Sequence, residues 1–345
     1  MINTHVKLES MWTKIVLVVA IILGVGYVWR DNPRVENALP TPSPSLDPFA
    51  ELTIPYLRSR EYQSQLRELT KYSESASYTT YLTSYDSDGL KVNGLLTIPK
   101  GQGRHPAIVF VHGYIAPSVY KTTEKYGDYV DYLARNGFVV FKIDLRGNGD
   151  SEGEPGGAYY SGDYVIDTLN AYAALEKAEF VDPSRIGLWG HSMAGNVVFR
   201  SVVAAKDIPA AVIWAGAGYT YDDLRTYRIM DTSYRPPQGN NTVTGNRQKL
   251  REMHGEFDSS DPFWASVAPT NYLEGVTTPL QINHAVDDQV VSIEYSRNLM
   301  RVLDSSQLIH ELNEYPNGGH NISGAAFGPA MRATVEFYKK HLGME

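Results

Sequence analysis

The sequence predicts an α/β fold in which a mostly parallel, doubly wound sheet is covered by helices on both faces. Three observations carry that prediction. Short continuous apolar runs alternate with stretches of helical spacing, the order expected of a parallel sheet buried on both sides. Hydrophobic residues make up 43% of the chain and charged residues 20%, enough apolar material for a large core. A Gly-x-Ser motif stands directly between a short apolar strand and a helix-forming run.

Taken in order, Leu90–Ile98 reads as a strand, ended by Pro99, Gly101 and Gly103. Ala107–Val111 is a buried run, Val119–Arg135 has helical spacing and stops at Gly137, and Phe138–Ile143 is a second run. Tyr164–Ala178 reads as an amphipathic helix, Ile186–Trp189 as a short strand, Val197–Ala205 as a helix and Ala210–Trp214 as a strand. The rhythm fails between residues 218 and 271, a stretch with four tyrosines and paired prolines, and resumes at Pro279–Asn283. An excursion of that length inside an α/β domain is expected to serve as a lid over a site.

The N-terminal part has a different character. After a short tail at 1–14, residues 15–29 read IVLVVAIILGVGYVW, fifteen residues without a charge. With the residues back to Met11 included, such a helix spans about 28 Å, close to a hydrocarbon core. No small-x-small cleavage site follows, so an uncleaved transmembrane signal-anchor is expected, with a cleaved secretory signal as the alternative. Residues 30–48 contain five prolines, four of them between Asn37 and Pro48, and no periodic apolar face, which describes an extended linker. The catalytic domain is expected at 49–345, outside the cytoplasm.

Composition excludes several classes of function. A formal charge of −8 argues against a nucleic-acid partner. The absence of cysteine removes disulfides, thiol nucleophiles and Cys-ligated metals. No metal-spaced His and carboxylate pair is found, so neither a metal nor a cofactor is expected.

The chemistry lies in Gly190-His191-Ser192-Met193-Ala194-Gly195. A serine on a sharp strand-to-helix turn projects its hydroxyl beyond the sheet edge, and small residues two before and two after let the backbones approach. Here Gly190 fills the first position and Ala194 the second, with the usual glycine displaced by one. A neutral serine needs a general base oriented by an acid, and in this arrangement they follow in the order Ser, Asp or Glu, His. Of the nine histidines, His320 alone lies after the candidate acids in a glycine-rich loop, PNGGH, following a strand. The acid is expected after the strand PLQIN, where Asp287 and Asp288 are adjacent and spacing does not choose between them. The oxyanion hole needs two backbone N–H donors, assigned to Met193 after the nucleophile and to Tyr114 in the HGY turn after AIVFV.

These residues resemble the α/β-hydrolase superfamily and, within it, the prolyl oligopeptidase (dipeptidyl aminopeptidase/acylaminoacyl peptidase) catalytic domain. The matching pieces are VFVHGY at 109–114, DLRGNGDSEG at 144–153, DPSRIGLWGHSMAG at 182–195, DPFWASVAPTNYL at 261–273, NHAVDDQVVS at 283–292 and YPNGGHNIS at 315–323. The resemblance implies Ser192 as nucleophile and His320 as base. The family's His-Gly-x-x-Asp pattern, counted from His284, selects Asp288 as the acid. The chain departs from the family at Ala194, Ala285 and Ser292, which stand where glycine, glycine and proline are usual. About forty residues separate the linker from the first predicted sheet strand at Leu90, too few for the β-propeller of many members, so specificity is expected from the 218–271 insertion. The function implied is a membrane-anchored serine hydrolase of peptide or ester bonds. The alternatives are a carboxylesterase or acyltransferase on small esters, and a non-catalytic binding protein, which would be expected to have lost a member of the site.

Overall fold

Period-two alternation in the central strands sends neighbouring residues to opposite faces of one sheet. In a computed structural model that describes residues 47–229 and 242–344, the strand β4 (His105–Val111) places Ala107, Val109 and Val111 in one hydrophobic cluster and Ile108 and Phe110 in another. The strand β7 (Ala210–Trp214) divides in the same way, with Ala211 and Ile213 on one side and Val212 and Trp214 on the other. Both faces are therefore covered.

Among the described residues, nine strands lie in the order β1-β2-β3-β5-β4-β6-β7-β8-β9. The first three are β1 (Thr70–Glu74), β2 (Tyr78–Ser87) and β3 (Leu90–Pro99), joined antiparallel to one another and, through β3, to β5 (Val139–Ile143). From β5 onward the pairings through β4, β6 (Val181–His191), β7, β8 (Leu280–Ala285) and β9 (His310–Tyr315) are parallel. One face carries α3 (Asp163–Glu176), α4 (Ala194–Ala205) and α8 (Glu294–Leu303), and the other carries α2 (Gly127–Arg135) and α9 (Phe327–His341). A short helix, α1 (Ile54–Ser59), precedes the sheet and is tied to the core by Arg58, whose Nε donates to the Val203 carbonyl at 3.1 Å.

Several expectations are corrected. The helix expected over 119–135 starts only at Gly127. The segment before it is drawn instead onto Asp144, which accepts from the Tyr120 hydroxyl at 2.9 Å and the Thr122 hydroxyl at 2.5 Å. The helix expected to be amphipathic, α3, buries Tyr164 through Ala171 without a break, because α4 packs on it as well as the sheet. The strand carrying the elbow begins at Val181 rather than Ile186. The described residues of the stretch at 218–271 include the helices α5 (Tyr221–Tyr227), α6 (Thr242–His254) and α7 (Pro262–Val267). Asp261 caps α7 by accepting from the Phe263 and Trp264 amides, and Trp264, Val267 and Leu250 share a small core with Phe49 and Leu52.

The motif DLRGNGDSEG turns out to be scaffolding. Arg146 makes ion pairs with Asp163 at 2.9 Å and with the fully buried Asp167 at 2.7 Å, fixing the loop after β5 to α3. The expected anchor at 15–29 and the linker at 30–48 lie outside the described residues, apart from Asp47 and Pro48. No helix among the described residues is long and apolar enough to cross a membrane.

Candidate active site

Every sequence-selected site residue stands at the C-terminal end of a parallel strand or in the loop just beyond it. The HGY turn follows β4, the elbow ends β6, the two aspartates follow β8 and the glycine-rich loop follows β9. Parallel strands end on the same side of the sheet, so four loops far apart in sequence converge at one rim.

Ser192 occupies the turn between β6 and α4 with φ at 57°, in the left-handed region that a non-glycine residue adopts only under constraint. The constraint is visible. Its N–H donates to the Trp214 carbonyl at 2.9 Å, and its carbonyl accepts from the amides of Gly195 at 2.8 Å and Ala217 at 3.2 Å. A Cβ on Gly190 would sit 2.7 Å from Val198, and one on Gly195 would sit 2.6 Å from the Gly216 Cα. The glycine displaced by one position is thus required where it is, because α4 passes the β7 loop glycine to glycine. Ala194 faces the core, fully buried.

The structure brings Ser192, His320 and Asp288 into one hydrogen-bonded series. His320 Nε2 lies 2.9 Å from Ser192 Oγ, and Nδ1 lies 2.8 Å from Asp288 Oδ2. A carboxylate can only accept, so Nδ1 carries the hydrogen and the Nε2 lone pair faces the serine hydroxyl. Asp288 also accepts from His284 Nε2 at 3.2 Å, and its Oδ1 accepts from the Val290 and Val291 amides at 2.8 and 3.0 Å. Burial alone would raise the pKa of this carboxyl. The hydrogen bonds from His284, His320 and the Val291 amide outweigh it and hold the group well below the usual carboxylate range.

Asp287 does different work. It is exposed and accepts from the Gly318 and Gly319 amides at 3.4 and 2.8 Å, closing the loop that presents His320. Of the two oxyanion candidates, Met193 is buried at the N-terminus of α4, where the helix dipole is positive, and Tyr114 is exposed just after β4. β4 and β6 are paired neighbours, with Val111 opposite Gly190, so the two turns adjoin.

Sequence reasoning missed the supporting imidazoles. His284, next to last in β8, is fully buried, with Nδ1 at 2.7 Å from Ser296 Oγ. His191 is buried beside His320 with ring centroids 4.6 Å apart. Each lies at or next to the C-terminal end of its strand, a position that does not by itself mark a supporting role.

This site and fold can be set beside known proteins. Residues 169–343 match the family model described as the BAAT / acyl-CoA thioester hydrolase C terminal, and residues 102–234 match serine aminopeptidase, S33. An uncharacterized 31.7 kDa protein in the traX-finO intergenic region of Escherichia coli is 31% identical over 284 residues, covering 71% of this chain and 94% of that protein. The chain belongs to the α/β-hydrolases, of the prolyl oligopeptidase-like type. It is a serine hydrolase, of peptidase or esterase type. Acetyl xylan esterase 1 from Thermoanaerobacterium sp. JW/SL YS485 shares the fold with a TM-score of 0.57 at 19% identity, covering 83% of this chain and 91% of that one. The acylaminoacyl peptidase of Pyrococcus horikoshii does so with a TM-score of 0.59 at 20% identity, over 78% of this hydrolase and 42% of the peptidase.

The buried groups around the site set a pH dependence of stability. Burial, with His320 nearby, lowers the His191 pKa to about 3, and burial lowers that of His112 to about 4. Both lie below the roughly 6.5 of an imidazole in the unfolded chain, so the unfolded chain takes up these protons first. Their stabilisation is complete above about pH 6.5 and is lost as pH falls towards the folded values. Asp144 has the opposite sign, since burial raises its pKa to about 6 and the folded state takes up that proton first. The urea midpoint should therefore fall between pH 6.5 and 4, and His191→Gln should make the fall shallower. An unchanged or steeper slope in the variant would contradict the assignment of a neutral buried His191.

Proposed function

We propose that this serine hydrolase cleaves small carboxylic esters through Ser192, His320 and Asp288. The observation that carries the proposal is the single imidazole of His320, hydrogen-bonded on one side to Ser192 Oγ at 2.9 Å and on the other to a buried carboxylate at 2.8 Å. Ser192 Oγ attacks the acyl carbon while His320 Nε2 takes the hydroxyl proton. The Met193 and Tyr114 amides receive the charge that develops on the carbonyl oxygen. Collapse breaks the bond to the alcohol, which leaves with the proton from His320. Water then attacks the acyl-enzyme, His320 takes and returns a proton, and the acid departs. Asp288 holds the imidazole in the required tautomer and stabilises its charged form.

The preference for esters over peptides is supported by extent. The esterase neighbour is matched over nearly its whole length, whereas the peptidase is matched over less than half. A peptide substrate is the second reading, favoured by the match of residues 102–234 to serine aminopeptidase. The described start of the insertion, α5 and the residues after it to Ile229, is proposed to wall the acyl pocket, since Ile229 bridges Val291, three residues beyond Asp288.

Hydrolysis of p-nitrophenyl esters of increasing acyl length, set beside aminoacyl and peptidyl anilides, tests the reading. Short esters are expected to turn over fastest, with Ser192→Ala inactive. Asp288→Asn should lower kcat on the order of 10³- to 10⁴-fold. Asp287→Asn, acting only on the loop, should cost less than about tenfold in kcat, as expected when one partly exposed hydrogen bond is lost. Faster cleavage of anilides would move the assignment to peptidase, and equal losses at the two aspartates would remove Asp288 from its role.

The apolar residues 15–29 are further proposed to anchor this domain to a membrane with its site outside the cytoplasm. Full-length chain should stay in the membrane pellet through an alkaline carbonate wash, while chain beginning at residue 49 should be released. Full-length chain in the supernatant would refute the anchor.

A further inference from the structure

Two groups that the proposed chemistry does not use, Tyr126 and His191, connect three of the loops that converge at the site. The Gly113 N–H donates to the Tyr126 hydroxyl at 2.9 Å. That hydroxyl lies 2.8 Å from His191 Nδ1, and His191 Nε2 lies 2.9 Å from the carbonyl oxygen of His320. The two ends fix the direction of the outer bonds. An amide can only donate and a carbonyl can only accept, so His191 carries its hydrogen on Nε2. Burial keeps this ring neutral, which leaves Nδ1 as an acceptor and makes the Tyr126 hydroxyl its donor.

The surroundings are shaped for this chain. A Cβ on Gly113 would sit 2.8 Å from the Tyr126 hydroxyl and 3.0 Å from His191 Nδ1, so only glycine leaves room for the phenol to reach the imidazole. Tyr126 itself has φ at 58° and precedes α2 directly, a conformation that aims its ring at the sheet rim. One turn later on α2, the Tyr129 hydroxyl donates to the Asn321 carbonyl at 2.7 Å. Two tyrosines three residues apart thus reach successive stations of one path, the first through His191 to the carbonyl of His320 and the second to the carbonyl beside it.

We propose that Tyr126 and His191 are positioning residues that hold the HGY turn after β4 and the His320 loop after β9 at a fixed separation across the elbow. Three strands, β6, β7 and β8, stand between β4 and β9. Without the chain of hydrogen bonds, the amide at Tyr114 and the imidazole of His320 would be related only through the sheet and its loops. With it, the group meant to receive negative charge and the group meant to move the proton are set against each other. This inference rests on the roles proposed above for Ser192, His320 and the Tyr114 amide.

The test uses the full chain and a p-nitrophenyl ester, with thermal unfolding measured on each variant. Tyr126→Phe and His191→Leu should each lower kcat about 10- to 100-fold, the cost of small misplacements at a reacting centre, with KM within about twofold. His191→Gln, which keeps one donor and one acceptor, should recover most of the loss. A merely structural role would make His191→Gln and His191→Leu equally poor, or place the loss on stability with kcat intact in the folded fraction, and either result overturns the proposal. Ser192→Ala separates the two layers of argument. If it is inactive and Tyr126→Phe matches the unsubstituted protein, the positioning proposal alone fails. If Ser192→Ala retains full activity, the reading on which it rests fails first.

Discussion

A reversal of the chain within one residue, at Ser192, sets the positions of the elements around it. The strand β6 must end and α4 must begin without an intervening loop, which forces a non-glycine residue into the left-handed region. Such a residue carries roughly 1–3 kcal/mol of backbone strain, and the strain persists because neighbours over-determine it. Its amide and carbonyl are both engaged, the first by Trp214 at the end of β7 and the second by Gly195 and Ala217. Removing the strain would mean moving β7, its loop and α4 together. That cooperativity ties a hydroxyl at the rim to the two hydrophobic clusters beneath it.

The second requirement is a negative charge kept in a dry place. Asp288 has no exposed side-chain surface, and an unpaired carboxylate there would take up a proton rather than remain charged. Two imidazole N–H groups on one oxygen and two amides on the other supply what water would have supplied. The amides come from Val290 and Val291, so the loop after β8 folds around its own side chain. The division of labour between the adjacent aspartates follows from this enclosure. Asp288 points inward to the donors, and Asp287, on the opposite side of the turn, is left to cap the glycines that carry His320.

Legibility in the sequence tracked how local each cause is. Ser192, the central parallel strands and the His320 loop were readable because each is announced by a pattern within a few residues. Asp288 was recoverable only by counting from His284, since two adjacent carboxylates differ in direction rather than in kind. The strands β1 and β2 were missed because β1 is exposed throughout and β2 is rich in Ser, Thr and Tyr, so neither shows an apolar run. The start of α2 was misplaced because the preceding residues are captured by Asp144, a partner some twenty residues further on. The roles of His191, His284 and Tyr126 lie wholly in tertiary contacts. Nothing at positions 126 and 191 announces that a phenol and an imidazole meet there.

The central claim is that Ser192 is an activated nucleophile, and the most direct measurement is reaction of the folded full chain with a fluorophosphonate followed by peptide mapping of the adduct. The account predicts one phosphonylated residue, Ser192, and far slower reaction when His320 is replaced by glutamine. A folded protein that stays unmodified, or one modified at a different serine, would contradict it.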